Sequence, residues 1–379
     1  MKNFTFKSLV FIVCLGLVAI AANAQVGNAR YGDYAYPSYT GAGNSAFGAY
    51  SLNANTNGNY NTALGTAALY HNTTGTSNTA VGRWSNHSNT SGTNNTSIGA
   101  MSLFNNTYGV ENTAIGTNTL QRNTWGSYNV AVGMNALNFA QGGLFNTANG
   151  AYSMYNTTNG NSNTATGAYS MYTNSSGGDN SAHGNYAMYY NYSGIANTAI
   201  GNYALYNNQS GGYNTVLGYS TGGGITSGSN NTIIGARVSG LPSSLSNTII
   251  LADGAGNQRL VIDNTGKAKI GSATLTTPGA YKLYVEQGIL TEKVVIAIAN
   301  SSDWADYVFS SGYELAPLKE VAAFVGKNHH LPNVPSAAEV VKNGVNLAAM
   351  DAKLLEKIEE LTLYIIELEN RLSTLEQKK

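Results

Sequence analysis

Histidine is the side chain most often used for acid–base chemistry and metal binding. It occurs five times in this sequence of 379 residues, at His71, His87, His183, His329 and His330. The five show no spacing typical of a metal site, and the central repeats contain no cluster of carboxylates. The sequence also has no phosphate-binding loop and no nucleophile elbow. We therefore predict no catalytic residue, no metal ligand and no cofactor, and hence a protein that is not an enzyme.

Tyrosine offers a different chemistry, because its ring has an apolar face and a hydroxyl that can hold a sugar or a peptide. Tyrosines recur with a constant step in two columns, Tyr152, Tyr169, Tyr186 and Tyr203, and Tyr155, Tyr172, Tyr189 and Tyr206. The same stretch carries Asn149, Thr166 and His183 at a position that is apolar in most other repeats. The candidate ligand-binding residues are therefore Tyr152, Tyr155, Tyr169, Tyr172, Tyr186, Tyr189, Asn149, Thr166 and His183. The alternative is that the tyrosines only stack between coils in a locally rearranged repeat.

These residues belong to a repeat with a fixed step. An Asn recurs twelve times with a 17-residue period, from Asn44 to Asn231, and a Gly follows each one at the fourth position, from Gly48 to Gly235. A unit this short cannot build its own core, so the pattern predicts one coil of a solenoid per repeat. Within residues 61–77 we predict two short strands and two bends, with coils stacked about 4.8 Å apart.

Positions within the coil differ in residue type. The second position after Asn is small in most coils, for example Ala63; the third is usually large and apolar, for example Ile115; and the eighth is mostly Leu or Met, for example Leu103. We predict that the third and eighth positions line the coil interior and that the small second position approaches another layer or another chain. The Asn column is expected to form an amide ladder. The fixed glycines suit positive φ or close backbone approach.

The oligomeric state is predicted from two patterns. Each coil buries few apolar groups, so we expect three chains to pack side by side as a homotrimer. Near the end of the chain a heptad seam is predicted to drive oligomerisation, through Leu354, Ile358, Leu361, Ile365, Leu368, Leu372 and Leu375. Ile at position a with Leu at position d favours two-stranded coils, whereas further apolar residues beside the seam favour more contact faces. The alternative is a helix that folds onto its own small domain.

Residues 1–24 have the features of a secretory signal. Lys2 and Lys7 precede an apolar run, and Ala22-Asn23-Ala24 forms a cleavage site before Gln25. The apolar run is too short for a stable membrane span, so we expect no span in the mature chain. We predict a secreted or cell-surface protein. The single Cys of the chain, Cys14, lies in the signal, so the mature protein is predicted to contain no disulfide.

Charge is distributed unevenly along the chain, although the formal net charge is zero. Between residues 44 and 246 the charged side chains are Arg83, Glu111, Arg122, Asp179 and Arg237. Such a surface lacks the excess of Lys and Arg that phosphate neutralisation requires, so nucleic acid is not an expected partner. We divide the rest of the chain into an N-terminal segment (25–43), β-roll repeats (44–256), a β connector (257–300), a small α/β domain (301–350) and a coiled-coil helix (351–379).

The string Asn-Thr-Ala-Ile-Gly, at residues 112–116 and 197–201, resembles the head repeat of trimeric autotransporter adhesins. The resemblance covers about residues 44–250 and implies a left-handed parallel β-roll built by three chains. The 17-residue period is longer than that family's usual coil. This chain also ends in a helix instead of the family's membrane anchor, so self-export and anchoring are not implied.

The C-terminal part resembles the C-terminal domains of tail-fibre-like surface proteins of Gram-negative bacteria. The segments that carry this resemblance are residues 281–285, 288–293, 304–309 and 330–335. More distantly they resemble the intramolecular chaperone domain that trimerises phage endosialidases. Both resemblances imply a trimeric fibre.

Together these features predict a mainly β protein: a parallel solenoid, a small α/β domain and a coiled coil. The predicted function is an exported trimeric surface fibre in adhesion or recognition, with a surface glycan or protein as possible ligand. The alternatives are a purely structural fibre and a phage-tail-like receptor-binding fibre. A further alternative is an ice-binding solenoid, since Thr fills the first position in nine of twelve coils.

Overall fold

The computed structural model of the chain describes residues 27–36, 41–272, 274–297, 300 and 304–378. The chain divides into two units, one ending at Gly288 and the other beginning at Ile289. The predicted signal, residues 1–24, lies outside the described residues. In the part of the chain that the structure does describe, no helix is both long and apolar enough to cross a membrane.

The first unit is a parallel β-solenoid in which each coil contributes one short strand to a continuous sheet. Fourteen strands follow one another in chain order, each pairing in parallel with the next. They are β1 Ala29–Tyr31, β2 Ser45–Phe47, β3 Thr62–Leu64, β4 Thr79–Val81, β5 Thr96–Ile98, β6 Thr113–Ile115, β7 Val130–Val132, β8 Thr147–Asn149, β9 Thr164–Thr166, β10 Ser181–His183, β11 Thr198–Ile200, β12 Thr215–Leu217, β13 Thr232–Ile234 and β14 Ile249–Ala252. The register pairs Ala63 with Ala80, its equivalent one repeat later, which confirms the predicted solenoid and its period.

The coil interior is lined by the eighth position, as predicted, where Leu103 is fully buried, and by the second position instead of the predicted third. The small second position is buried inside the coil, and Ala63 and Ala114 are both fully buried. The large third position faces outward, where Leu64 is 50% and Ile115 38% exposed. Side chains alternate across a strand, so the first and third positions share the outer face and the second alone points inward. The prediction of an interior third position is therefore wrong, and the small second position serves the chain's own core.

The second apolar patch of each coil is not a strand, so each coil has one strand instead of the two predicted. Ala68 and Leu69 are consecutive and both fully buried, which a strand cannot achieve because its side chains alternate in direction. The backbone solves this with left-handed residues, with φ of 54° at Ala67 and 51° at Leu69. Both side chains then point into the coil, opposite the strand's alanine.

The predicted Asn ladder is present and runs through the interior. The Asn129 amide donates to Asn112 Oδ1 at 3.1 Å and to the Gly143 carbonyl at 2.8 Å. Its Oδ1 accepts the backbone N–H of Asn146 at 3.0 Å and the side-chain amide of Asn146 at 3.2 Å. Each amide therefore closes its own coil and joins it to both neighbours.

A second Asn ladder, which the sequence analysis does not anticipate, runs at the eleventh position. The Asn72 amide donates to Asn55 Oδ1 at 2.8 Å, and the Asn89 amide to Asn72 Oδ1 at 2.7 Å. This ladder is interrupted where the next coil has Ala140, and Asn123 Oδ1 is left buried without a partner.

The glycine four residues after each Asn meets two demands at once. Gly116 has a φ of 131°, and a Cβ there would lie 2.8 Å from the backbone carbonyl of Gly133 in the next coil. The glycine at position fourteen meets only the second demand, since a Cβ on Gly75 would overlap Asn72 Oδ1. Positive φ and close approach are the two roles predicted for these glycines.

The solenoid extends beyond the predicted repeats at its N-terminal end and is closed by a hairpin at the other. Asn28 starts an additional coil, and its Oδ1 accepts the Asn44 N–H at 2.7 Å. After β14 the strands β15 Gln258–Ile262 and β16 Ala268–Ile270 pair antiparallel. A last strand, β17 Leu283–Val285, runs parallel to β16. Val261 of this hairpin joins the end of the apolar core.

The second unit is helical in its described residues. A 3-10 helix spans Ala305–Phe309, followed by α1 Leu318–Asn328, α2 Ala337–Asn343 and α3 Leu347–Glu376. From 304 to 350 the structure describes helices and loops but no strand, where an α/β arrangement is predicted. The helix α3 begins at an Asn346 cap, whose side chain accepts the Ala349 N–H at 3.1 Å.

Candidate functional site

The predicted tyrosine columns exist as two ladders of stacked rings. In the first, neighbouring rings from Tyr152 to Tyr203 lie 5.0–5.1 Å apart and 1–4° from parallel. In the second, from Tyr155 to Tyr206, they lie 4.9–5.2 Å apart and 4–14° from parallel. The two ladders run side by side, and Tyr186 and Tyr189 of one coil are 5.7 Å apart at 35°.

The stacking determines what these tyrosines offer a ligand. Each inner ring has both faces covered by the rings of the neighbouring coils, so its edge and hydroxyl remain for solvent. Burial, followed by the neighbouring tyrosine hydroxyls, raises the pKa of Tyr189 to about 12, and the same causes raise the pKa of Tyr172. The ladders thus present neutral phenols in a row instead of open aromatic faces.

The three polar residues Asn149, Thr166 and His183 lie in register at the ends of β8, β9 and β10. They face outward, with His183 half-buried and hydrogen-bonded through Nε2 to Ser181 Oγ at 3.1 Å. Among the described residues, no hydrogen bond or ring contact joins any of the three to a tyrosine of the ladders. The structure therefore gathers the predicted site residues into two separate groups.

The outer face of the strands carries two parallel rows of side chains. The first position supplies the threonine row, and the third position supplies an aliphatic row that the polar residues interrupt. The exposed members of the aliphatic row are Phe47, Leu64, Ile98, Ile115, Ile200, Leu217, Ile234 and Leu251, each 38–50% exposed. We call these residues the strand-face row.

In the helical unit, α3 uses one face for its own chain and leaves the other uncovered. The Tyr307 hydroxyl donates to Glu356 Oε2 at 2.6 Å, and Tyr313 donates to Glu360. On the opposite face the heptad residues are 44–66% exposed in the single chain: Leu354, Ile358, Leu361, Ile365, Leu368, Leu372 and Leu375. The polar face of α3 thus packs on its own unit, as the alternative prediction states. The apolar seam has no partner within the described residues.

Within this polar contact, Glu356 is a carboxylate with a strongly lowered pKa. Burial would raise the pKa of this carboxyl, but hydrogen bonds from Lys353, Lys357 and Tyr307 lower it to about 2. The Glu356 hydrogen bond, followed by burial, raises the pKa of Tyr307 to about 12. The tyrosine stays neutral and the glutamate ionised over a wide pH range, so the contact is a stable charge-assisted one.

An exposed aromatic cluster that the sequence analysis does not single out lies in the turns before β6, β7 and β8. It consists of Tyr108, Val110, Trp125, Tyr128, Leu144 and Phe145, which we call the aromatic patch. Tyr108, Trp125, Tyr128 and Phe145 are 64, 55, 44 and 58% exposed. The rings of Tyr128 and Phe145 stack at 4.9 Å. The signal in the sequence is that these turn positions are mostly Ser, Thr, Asn or Gly in other coils.

His71 and His87 lie against each other and against the ring of Tyr70. His87 stacks between Tyr70 and Phe104, at 5.2 and 4.9 Å, and burial followed by the nearby His71 lowers its pKa. Across the part of the chain that the structure describes, no three His, Cys, Asp or Glu residues gather closely enough to hold a metal ion.

Comparison of this chain with protein-family models, with curated proteins and with solved structures finds no match. Its function is therefore inferred from its own surfaces.

Proposed function

We propose that the protein is an exported homotrimeric surface fibre that acts in adhesion or recognition through many weak contacts. In this proposal the coils correspond to the head repeats of trimeric autotransporter adhesins, and the C-terminal unit to a trimerisation domain of the tail-fibre or endosialidase-chaperone kind. Export through the predicted signal would place the fibre outside the cell or on its surface.

The observation that carries the proposal is the uncovered seam of α3. Soluble monomers rarely expose large contiguous apolar patches, and such patches usually mark an interface. Here seven heptad residues, from Leu354 to Leu375, are each about half exposed along one helix. Three identical helices packed through this seam would cover it.

Charges beside the seam favour parallel copies in register. Arg371 occupies a g position and Glu376 the e position of the following heptad, the arrangement in which a parallel partner's e residue meets a g residue of opposite sign. Arg371 is well exposed, and its ion pair within the chain is a loose 3.7 Å contact with Glu367. An interchain pair with Glu376 is therefore available to this arginine.

The strand-face row supports association along the solenoid as well. Its residues stand at intervals of one coil on a flat sheet face, so copies aligned in parallel can meet at every coil. Three chains with identical faces would present each outward site three times, and linked weak sites bind more tightly than single ones.

The test is the solution mass of residues 25–379, measured by light scattering, beside the variant Ile358→Asp/Ile365→Asp. We expect three times the chain mass for the parent protein and a loss of trimer in the variant, because two charges would enter the seam. Protease accessibility on intact cells would test the surface location. A monomeric parent protein would contradict the trimer and the avidity mechanism with it.

A second candidate, ice binding, is favoured by one specific observation. Because the third position faces outward, several strands present a threonine and an aliphatic side chain on the same face, for example Thr113 and Ile115. This face cannot both pack against another chain and bind ice. Thermal hysteresis in the monomeric seam variant, abolished by Thr113→Lys, would support ice binding over self-association of the face.

A further inference from the structure

The aromatic patch departs from the repeat in a localised way. It occupies positions thirteen, fifteen and sixteen of the coil, which face outward and contribute nothing to the coil interior. Six apolar or aromatic residues fall at these positions within three consecutive coils. Since the solenoid does not need them for packing, their concentration in one place calls for a partner.

Two rings of the patch occupy the same position in consecutive coils. Position sixteen is left-handed in its coils, with a φ of 60° at Tyr128 and 59° at Phe145. Asn94 and Asn230 occupy this position elsewhere, and so do the isolated aromatic residues Tyr60 and Tyr213. The patch therefore differs from the other coils in placing aromatic rings at this position in neighbouring coils, where they form one continuous surface.

Trp125 lies flat against the solenoid with one ring face open. A Cβ placed on Gly142 would overlap the six-membered part of the Trp125 ring, so the indole covers this glycine directly. Trp125 is nevertheless 55% exposed. By contrast, Trp84 is covered by the Arg83 guanidinium, 3.6 Å from its ring centroid, and the tyrosine ladders cover their own faces.

The surroundings of the patch are uncharged over a long stretch. No Asp, Glu, Lys, Arg or His lies between Arg122 and Asp179, and Gln141, Asn159 and Asn161 are exposed amides within it. The nearest charge in the patch's own column is the exposed Glu111, one coil before Tyr128. The nearest cation along the chain, Arg122, has its guanidinium over the Phe139 ring, 4.0 Å from the centroid, so the polar groups offered by this stretch are mainly neutral amides and hydroxyls.

We infer that the aromatic patch is a platform for a neutral carbohydrate chain, with the open indole face of Trp125 as its main stacking surface. The C–H face of a hexose ring packs on the indole, and the neutral amides accept and donate hydrogen bonds to its hydroxyls. This inference rests on the adhesive role proposed above and names its ligand class. A trimer would carry three such platforms.

The patch is distinct from the surfaces assigned to copies of the chain. The strand-face row lies on the strands, and the heptad seam on α3, whereas the patch lies in the turns that precede β6, β7 and β8. Covering the first two in a trimer therefore leaves the patch residues for an external ligand.

The experiment measures binding of cellohexaose, maltohexaose and chitohexaose to residues 25–379 by calorimetry, with heparin as an anionic probe. We expect at least one neutral oligosaccharide to bind and Trp125→Ala to weaken it about tenfold or more. Trp84→Ala is the matched control, because the Arg83 guanidinium covers that indole, and this variant should bind as the parent protein does.

A second variant separates the platform from folding. Gly142→Ala keeps the tryptophan but places a methyl group where the indole lies, so the ring must lift and binding should weaken. Binding that survives both Trp125→Ala and Gly142→Ala would overturn the inference, as would a preference for heparin. Absence of any neutral sugar binding by an intact trimer would overturn it while leaving the fibre proposal standing. A fall in solution mass on Trp125→Ala would instead overturn it by assigning the patch to an interface between copies.

Discussion

Inside the solenoid, Leu103, Leu137 and Met171 are fully buried within their own coils, whereas on α3 Leu361, Ile365 and Leu368 are more than half exposed. The solenoid buries its inward-facing apolar side chains and pairs its Asn ladder within one chain, coil against coil. The helical unit buries Val308 and pairs Tyr307 and Tyr313 with α3, but it leaves the heptad seam exposed. The difference indicates that the solenoid core forms within one chain, whereas in the proposed trimer association would depend mainly on the seam.

The first test concerns how much the glycine at the fourth position of the coil contributes to the stability of the solenoid. We expect Gly116→Ala to destabilise the solenoid by roughly 1–3 kcal/mol from backbone strain alone, and by more once the Cβ meets the Gly133 carbonyl. The measurement is urea unfolding followed by the near-ultraviolet circular dichroism of the stacked tyrosines. The control is Gly223→Ala, since a Cβ there has nothing within 4 Å. Its stability should change by less than about 1 kcal/mol, and equal effects of the two variants would contradict the geometric argument.

The two Asn ladders provide a second test, with a smaller expected effect. Asn129→Ala leaves the Gly143 carbonyl and the Asn146 N–H without these buried partners. Stability should fall by roughly 1–3 kcal/mol, because a buried polar group without a partner carries a desolvation cost of that size. Asn123→Ala should cost less, because it removes the partner of Asn106 Oδ1 alone, while the Gly126 carbonyl keeps its bond from Asn112 and Asn123 Oδ1 accepts no bond within the described residues. Thermal unfolding of both variants checks the order, and a larger loss at Asn123 would show that the second ladder carries more of the stability.

Part of the solenoid's structure could be predicted from the sequence, and part could not. The period, the Asn ladder and the glycine roles were predictable because each is repeated in nearly every coil. The inner and outer faces were assigned wrongly because residue size suggested that Ile115 is interior. In a coil this narrow the strand's inward position holds only Ala in most coils, and left-handed residues bring Leu103 and its equivalents in from the opposite wall.

The candidate site could likewise be predicted only in part. The tyrosine columns could be predicted from their spacing, but not that stacking would cover their ring faces. Trp125 was missed because a single departure from the repeat carries no periodic signal. Its flat placement depends on Gly142 one coil later, a relation that only the folded register reveals.

A third test asks whether the solenoid's core is uniformly optimised. Asn86 occupies the column of Leu69 and Leu103, is fully buried, and has neither amide atom hydrogen-bonded within the described chain. Asn86→Leu should therefore raise stability by roughly 1–2 kcal/mol, because an unpaired buried amide is replaced by the residue its neighbours use. Calorimetric unfolding measures the change, and Leu103→Asn should produce the reverse. A destabilised Asn86→Leu protein would show that the amide is satisfied by water in solution.

The smallest expected effect concerns acid, and it separates the two units most directly. The folded-state pKa of Glu356 is about 2, below its ordinary value of 4.5. Its contribution to stability is therefore complete above about pH 4.5 and is lost as the pH falls towards 2. Between residues 44 and 246 the carboxylates are only Glu111 and Asp179, so the coils have little to titrate there. Helical circular dichroism should weaken over this interval while the tyrosine signal of the ladders persists, and Glu356→Gln should flatten the response of the helices. A parallel loss of both signals would mean that the coils depend on the helical unit for their stability, because between residues 44 and 246 the coils offer almost no carboxylate that could take up a proton over this interval.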